Sequence, residues 1–251
     1  GDKYSVLNYL SKVKALTVED LQAVSKKYLT EKNRMVFTLM PEVETPKTDA
    51  PKAAVSANVT AQQVIDNYAA ALGGKSKLEA VKTVKTLSTI KVMGMEIEAI
   101  TLEMAPNKSK AVQKIMGQEM VQVFDGEKGY MMQAGQRMDL PAPAIEEAKK
   151  KRLFEVLSYN PADFKTVEKV TEEGKELYLL AGAGKKLYFD TKTNLLVKST
   201  SDKGDMVILD YMEVDGIKFP KNLKLAMMGQ NMEMTNNQVI VNKEVSAEDF
   251  K

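Results

Sequence analysis

From Thr83 to Val241 the chain is a succession of short segments rich in Val, Ile, Thr, Tyr, Phe and Met, each ended by turn-forming residues. The spacing predicts strands at about 83–93, 95–104, 108–116, 119–125 and 128–133, then at 164–170, 176–181, 185–190, 195–200, 205–214, 217–225 and 230–241. Asp125-Gly126, Lys203-Gly204 and Asp215-Gly216 read as tight turns. Connections this short leave no room for a crossover helix, so consecutive strands must pair antiparallel as a meander. The fold class expected is α+β, dominated by one large antiparallel sheet.

Few segments read as helix. Thr60 and Gln63 form a capping box, Val64, Ile65, Tyr68 and Leu72 make one apolar stripe, and Gly73-Gly74 ends it. A short helical turn around Leu78 and Val81 follows. One more helix is expected from Ala144 to Tyr159, between Pro141 and Pro143 on one side and Asn160-Pro161 on the other. Its charges suit i,i+4 pairs, Glu146 with Lys150 and Glu147 with Lys151, on a solvated face. The same helix also suits a lid over the sheet, or contact with lipid headgroups.

Residues 1–40 read as helix, helix, strand. Thr17 caps the second helix with Asp20 three residues on, Val18, Leu21, Val24 and Tyr28 repeat at helical spacing, and Arg34 to Met40 is a short apolar strand. Two helices and a strand cannot bury their own apolar faces. Residues 41–57 hold three of the eight prolines and no aromatic residue, as a semi-extended linker would. The expected organisation is therefore 1–40, a linker at 41–57, and a larger domain at 58–251.

The chain has neither histidine nor cysteine. Imidazole-assisted nucleophiles, ordinary zinc sites and disulfides are excluded. A net charge of +2 provides no field for nucleic acid, and no run approaches the roughly 20 apolar residues of a membrane helix. A start at Gly1 instead of Met reads as a piece of something longer. Paired carboxylates are the remaining catalytic option. Glu96 and Glu98 share a strand face, but Asp139, Asp190, Asp205, Asp210 and Asp215 sit beside turns, and Ala181-Gly182-Ala183-Gly184-Lys185 joins two strands as a hairpin and not as a phosphate loop. No catalytic residue and no metal ligand is assigned.

Fourteen of the 16 methionines lie between Met93 and Met234. Unbranched thioethers fill irregular cores, and they also line cavities that adapt to ligands of variable shape. Both readings stay open at this point. In Met206 to Met212 both alternating faces are apolar, so that strand is expected to be covered on both sides. If there is a cavity, its candidate lining is Met93, Met95, Met104, Met120, Met131 and Phe154, with Leu157, Met206, Leu209, Tyr211, Met232 and Met234 completing it.

Two resemblances go with these residues. Leu16-Thr17-Val18-Glu19-Asp20-Leu21-Gln22-Ala23-Val24, followed by Lys27-Tyr28-Leu29 and Asn33-Arg34, resembles the closing helix and strand of a pitrilysin/insulinase-family zinc peptidase domain. That likeness implies a parent whose zinc-binding catalytic part is missing from this chain. Residues 59–250 resemble the lipoprotein-carrier superfamily typified by LolA and LolB. The markers are Ala71-Leu72-Gly73-Gly74-Lys75, Phe124-Asp125-Gly126-Glu127-Lys128-Gly129-Tyr130, Leu187-Tyr188-Phe189-Asp190, Asn194-Leu195-Leu196, Tyr211-Met212-Glu213-Val214-Asp215-Gly216 and Phe219-Pro220.

Together the resemblances imply a strongly curved, half-open β-barrel with helices on its concave side, preceded by a helix-helix-strand peptidase remnant. They imply a non-catalytic C-terminal region of an envelope zinc peptidase that binds an apolar ligand or docks on the peptidase. Two alternatives are an autonomous lipid or lipoprotein carrier and a structural interaction module with a filled core. The expected partners are the missing peptidase domains, an acyl chain or apolar peptide, and a second copy through residues 1–40. The expected location is the periplasm or outer envelope of a Gram-negative bacterium, with no cofactor in this chain.

Overall fold

The computed structural model describes residues 17–28, 55–56, 58–115, 117–227 and 229–251. Contacts divide the chain into two units, residues 1–48 and 49–251. In the first, α1 (Val18–Tyr28) starts as its sequence requires: the Thr17 N–H donates to Asp20 and the Asp20 N–H donates back to the Thr17 hydroxyl. Val18, Leu21 and Val24 are exposed on this helix. The expected first helix and the strand from Arg34 to Met40 lie outside the described residues.

In the second unit the capping box forms at α2 (Ala61–Leu72), where Gln63 N–H donates to Thr60 Oγ1 and Thr60 N–H to Gln63 Oε1. A short α3 (Lys75–Ala80) follows and buries Leu78. The first strands are β1 (Val55–Ser56), β2 (Thr83–Val92), β3 (Met95–Met104), β4 (Lys108–Ile115), β5 (Gln118–Phe124), β6 (Gly129–Gln133) and β7 (Gln136–Asp139). After α4 (Ala142–Lys150) come β8 (Thr166–Glu172), β9 (Lys175–Gly182), β10 (Lys185–Asp190), β11 (Leu196–Ser201), β12 (Gly204–Val214), β13 (Ile217–Met227) and β14 (Gln230–Val241). Paired positive φ angles at Met93-Gly94, Ala134-Gly135, Glu173-Gly174, Ala183-Gly184 and Asp215-Gly216 make two-residue turns that match strand twist.

The strands form one antiparallel sheet in the order β1-β8-β9-β10-β11-β12-β13-β14-β2-β3-β4-β5-β6-β7. Two meanders are thus joined side by side where β14 pairs with β2, and the sheet stays open, with β1 and β7 at its edges. This is the curved half-barrel, with its helices on the concave side. There Val64, Ile65, Tyr68, Ala69 and Leu72 of α2 pack on Leu180, Phe189, Ile208, Phe219, Leu223 and Val239 of the sheet.

Three expectations are corrected. The helix predicted from Ala144 to Tyr159 spans only Ala142–Lys150, and 3-10 turns follow at Glu155–Ser158 and Pro161–Asp163. Phe154 and Val156 are both buried, and residues two apart do not share a helix face, so a continuous helix would have exposed one of them. Its acidic residues also find other partners, Lys149 for Glu146 at 3.0 Å and Lys203 for Glu147 at 2.6 Å. Finally, the end of the expected linker is strand β1, with Val55 opposite Lys169 and Ser56 opposite Glu168.

Candidate functional site

Directly opposed residues of an antiparallel pair lie on the same face of the sheet, so the registers assign each face row by row. Facing the helices, one row runs Ile208, Leu223, Met234, Ile90, Ile97, and the next runs Met206, Leu225, Met232, Val92, Met95. Five residues expected to line a cavity, Phe154, Leu157, Met206, Tyr211 and Met234, belong to or pack against the core cluster under α2. Met95, Met120, Met131 and Met232 lie on the same face by register, outside that cluster. Met104, opposite Thr83 and Lys108, is on the other face. Met93 sits at the β2–β3 turn, 78% exposed, and Leu209 at a β12 bulge, 57% exposed.

The outer face of β2 to β6 carries two apolar rows that the methionine pattern does not reveal. One reads Leu102, Lys110, Val123 and Tyr130. The C-terminal segment roofs it: the 3-10 turn Ala247–Phe250 packs against β4, Phe250 and Val123 are each only 1% exposed, and the Tyr130 hydroxyl donates to the Lys251 carbonyl. The neighbouring row reads Leu87, Ile100, Val112, Val121 and Met132 across five strands. Among the described residues no such roof covers it, and Ile100 and Met132 remain 37% and 39% exposed.

Over this second row lies a groove of about 700 Å³. Its floor is Leu87, Ile100 and Val112, and its rim is Thr89, Glu98, Lys114 and Glu119 on one side with Asn237 and Gln238 at the end. A bulge in β14 between Asn236 and Gln238 sets that end. It turns Asn237 outward, where its carboxamide donates to the Thr89 hydroxyl at 2.8 Å, while Asn236 accepts from Ser88. The signal for two of these floor residues lay in adjacent apolar pairs, Ala99-Ile100 and Ala111-Val112, which break strand alternation.

No group of three or more metal-ligating side chains occurs among the described residues. Glu96 pairs with Lys91 at 3.7 Å, the Asp190 carboxylate accepts from the Lys192 and Thr193 amides, and the Asp210 carboxylate from the Asn222 amide. These are local structural uses.

One carboxylate is perturbed by its surroundings. Glu103 stands on the helix face opposite Val84 and Ser109, and burial pushes its carboxyl above the usual range while Lys151 pulls partly back. A carboxyl raised on folding supports the fold while protonated, and that contribution is lost as pH rises through the raised value. Glu103→Gln should therefore match the parent near pH 4 and exceed it in stability at neutral pH. Urea midpoints at the two pH values check this; a constant offset would count against it.

No protein-family model and no curated protein matches the chain. Among solved structures it is similar to a DUF1329 family protein from Desulfovibrio piger, with a TM-score of 0.50 at 8% identity, over 76% of this chain and 97% of that one. It is also similar to a domain assigned to outer membrane lipoprotein sorting from Vibrio parahaemolyticus (TM-score 0.47, 10% identity, 76% and 97% covered). A third likeness is to the lipoprotein LppX of Mycobacterium tuberculosis (0.33, 10%, 74% and 97%). None of these supports the peptidase resemblance of residues 1–40. The likeness to the DUF1329 family protein, at 8% identity, is one of fold alone.

Proposed function

We propose that the sheet domain is a non-catalytic binding module for an amphiphilic chain, a lipid or the acyl part of a lipoprotein, held in the outer groove. The observation that carries this is the unroofed apolar row Leu87-Ile100-Val112 inside a cavity of about 700 Å³. Such a volume falls within the roughly 300–1,000 Å³ usual for small-molecule sites. Inside the cavity the floor crosses three strands, about 10 Å at 4.7–4.9 Å per strand, and the same apolar row continues beyond it over Val121 and Met132, which suits an alkyl chain laid across the strands. An envelope location, read in the sequence, belongs to the same proposal.

A methylene that leaves water contributes about 0.8 kcal/mol, or about half of that in a groove open on one side. Titrating the protein with N-phenyl-1-naphthylamine and displacing it with n-alkanols should show affinity rising about twofold to fourfold per methylene. Val112→Arg places a guanidinium on the floor and should weaken probe binding at least about tenfold, a loss of about 1.4 kcal/mol. Displacement indifferent to chain length, or full binding by Val112→Arg, would remove the proposal.

A further inference from the structure

We infer that the groove selects an amphiphile whose head carries an ammonium group beside a phosphate; this rests on the reading that its floor takes an alkyl chain. The rim row runs Thr89, Glu98, Lys114 and Glu119, with Lys114 directly opposite both glutamates. All four residues line the same cavity.

At two other places in this sheet a directly opposed lysine and glutamate close on each other, Lys91 on Glu96 at 3.7 Å and Lys224 on Glu233 at 3.9 Å, while Glu213 opposite Lys218 and Glu172 opposite Lys175 do not, and neither of those pairs lines this groove. Lys114 makes no ion pair within 4.0 Å with Glu98 or Glu119 among the described residues. Three charged ends thus stand separately at the mouth of an apolar cavity, alternating carboxylate, ammonium, carboxylate. A head with one cation and one anion at short separation matches that alternation. Its ammonium sits against a glutamate and its phosphate against Lys114. The rim's own sum, two negative charges against one positive, works against a head that is only anionic. Two carboxylates next to an alkyl-binding floor are a poor receptor for a fatty carboxylate for the same reason.

The chain length and the head can be separated in one experiment. The whole chain is loaded with N-phenyl-1-naphthylamine at low ionic strength and titrated below micelle-forming concentrations. The competitors are lauroyl lysophosphatidylethanolamine, lauroyl lysophosphatidylglycerol and dodecanol, with chain-free phosphoethanolamine as a fourth arm. Exposed charge pairs contribute modestly, so the ethanolamine lipid should displace the probe at about threefold to tenfold lower concentration than the glycerol lipid. The gap should shrink as salt is raised to about 0.15 M, where the screening length is about 8 Å. In the double variant Glu98→Lys with Glu119→Lys the ratio of the two lysolipids should invert. Phosphoethanolamine alone should not displace, because the head acts only with its chain.

Equal displacement by the two lysolipids, or an advantage for the glycerol lipid while dodecanol still competes, overturns the head selectivity and leaves the groove standing. Displacement by phosphoethanolamine alone also overturns it, since the head would then need no chain. If dodecanol fails to compete, the groove reading falls, and this inference falls with it.

Discussion

Phe189→Ala should lower stability by about 3–5 kcal/mol, the cost of a large truncation in a core that cannot fully collapse. Phe189 is fully buried on β10, and its ring lies 5.2 Å from that of Tyr68 at a tilted angle. That contact locks α2 onto the sheet at the centre of its apolar stripe, between Ile65 and Leu72. A tilted aromatic pair adds about 0.5–1.5 kcal/mol beyond its buried area. The variant loses that along with the space the ring filled. Leu209→Ala, at the exposed β12 bulge, should stay within about 0.5 kcal/mol of the parent. Urea unfolding with an unchanged slope reads both. The groove lies on the opposite face, on strands β14 and β2 to β5. Folded Phe189→Ala should therefore still bind the apolar probe with its original affinity, whereas a cavity under α2 would make the two losses travel together.

The parts of this architecture that could be read in the sequence are those governed by residues close in the chain. The capping box of Thr60 and Gln63, the stripe from Val64 to Leu72 and the two-residue turn at Asp215-Gly216 are local chemistry, and each stands where it was expected. The junction of β14 with β2 is different. It joins residues about 150 apart, such as Thr89 with Asn237, and nothing in either strand distinguishes an edge from a partner. The roof over Val123 has the same origin, since Phe250 is far from β5 in sequence and becomes informative only once the C-terminal segment is placed on the sheet.

The candidate site was hard to read for a second reason. Methionine is conspicuous and drew the cavity towards the helix face, where Met206 and Met234 pack against the core. The groove is instead floored by ordinary aliphatic side chains in strands that are apolar on both faces. In β3, Ile97 and Ala99 are buried on the helix face, while Ile100 and Leu102 serve the outer one. A strand with two apolar faces signals cover on both sides. Which stretch of the outer face the tail covers, and which it leaves open, depends on the tertiary path of the chain alone.

Gly182→Ala should prove as damaging as a large core truncation, although it adds one carbon. Gly182 closes β9 beside the turn Ala183-Gly184, and in sequence it reads as one more small residue of that hairpin. In the fold a Cβ there would stand 2.0 Å from the Asp163 carbonyl oxygen and 2.8 Å from Phe164 Cα. Both are backbone atoms and cannot rotate away. They belong to the turn Pro161–Asp163, which Asn160 caps through the Ala162 amide and which is tied to β9 by Lys165 N–H donating to the Ala181 carbonyl. That turn carries Phe164 into the core, edge-on to Tyr159 at 6.1 Å. Room for the methyl group can come only by lifting the turn, and the two rings would lift with it. Overpacking commonly costs about 1–3 kcal/mol where side chains can yield; with only backbone to yield, the loss should be about 3 kcal/mol or more. Gly184→Ala separates this from turn strain. Its φ of +74° is unfavourable for a side chain, at about 1–2 kcal/mol, but nothing stands within 4 Å of the added carbon. Urea midpoints should therefore fall further for Gly182→Ala than for Gly184→Ala, and the reverse order would mean that the Pro161–Asp163 turn does not rest on β9.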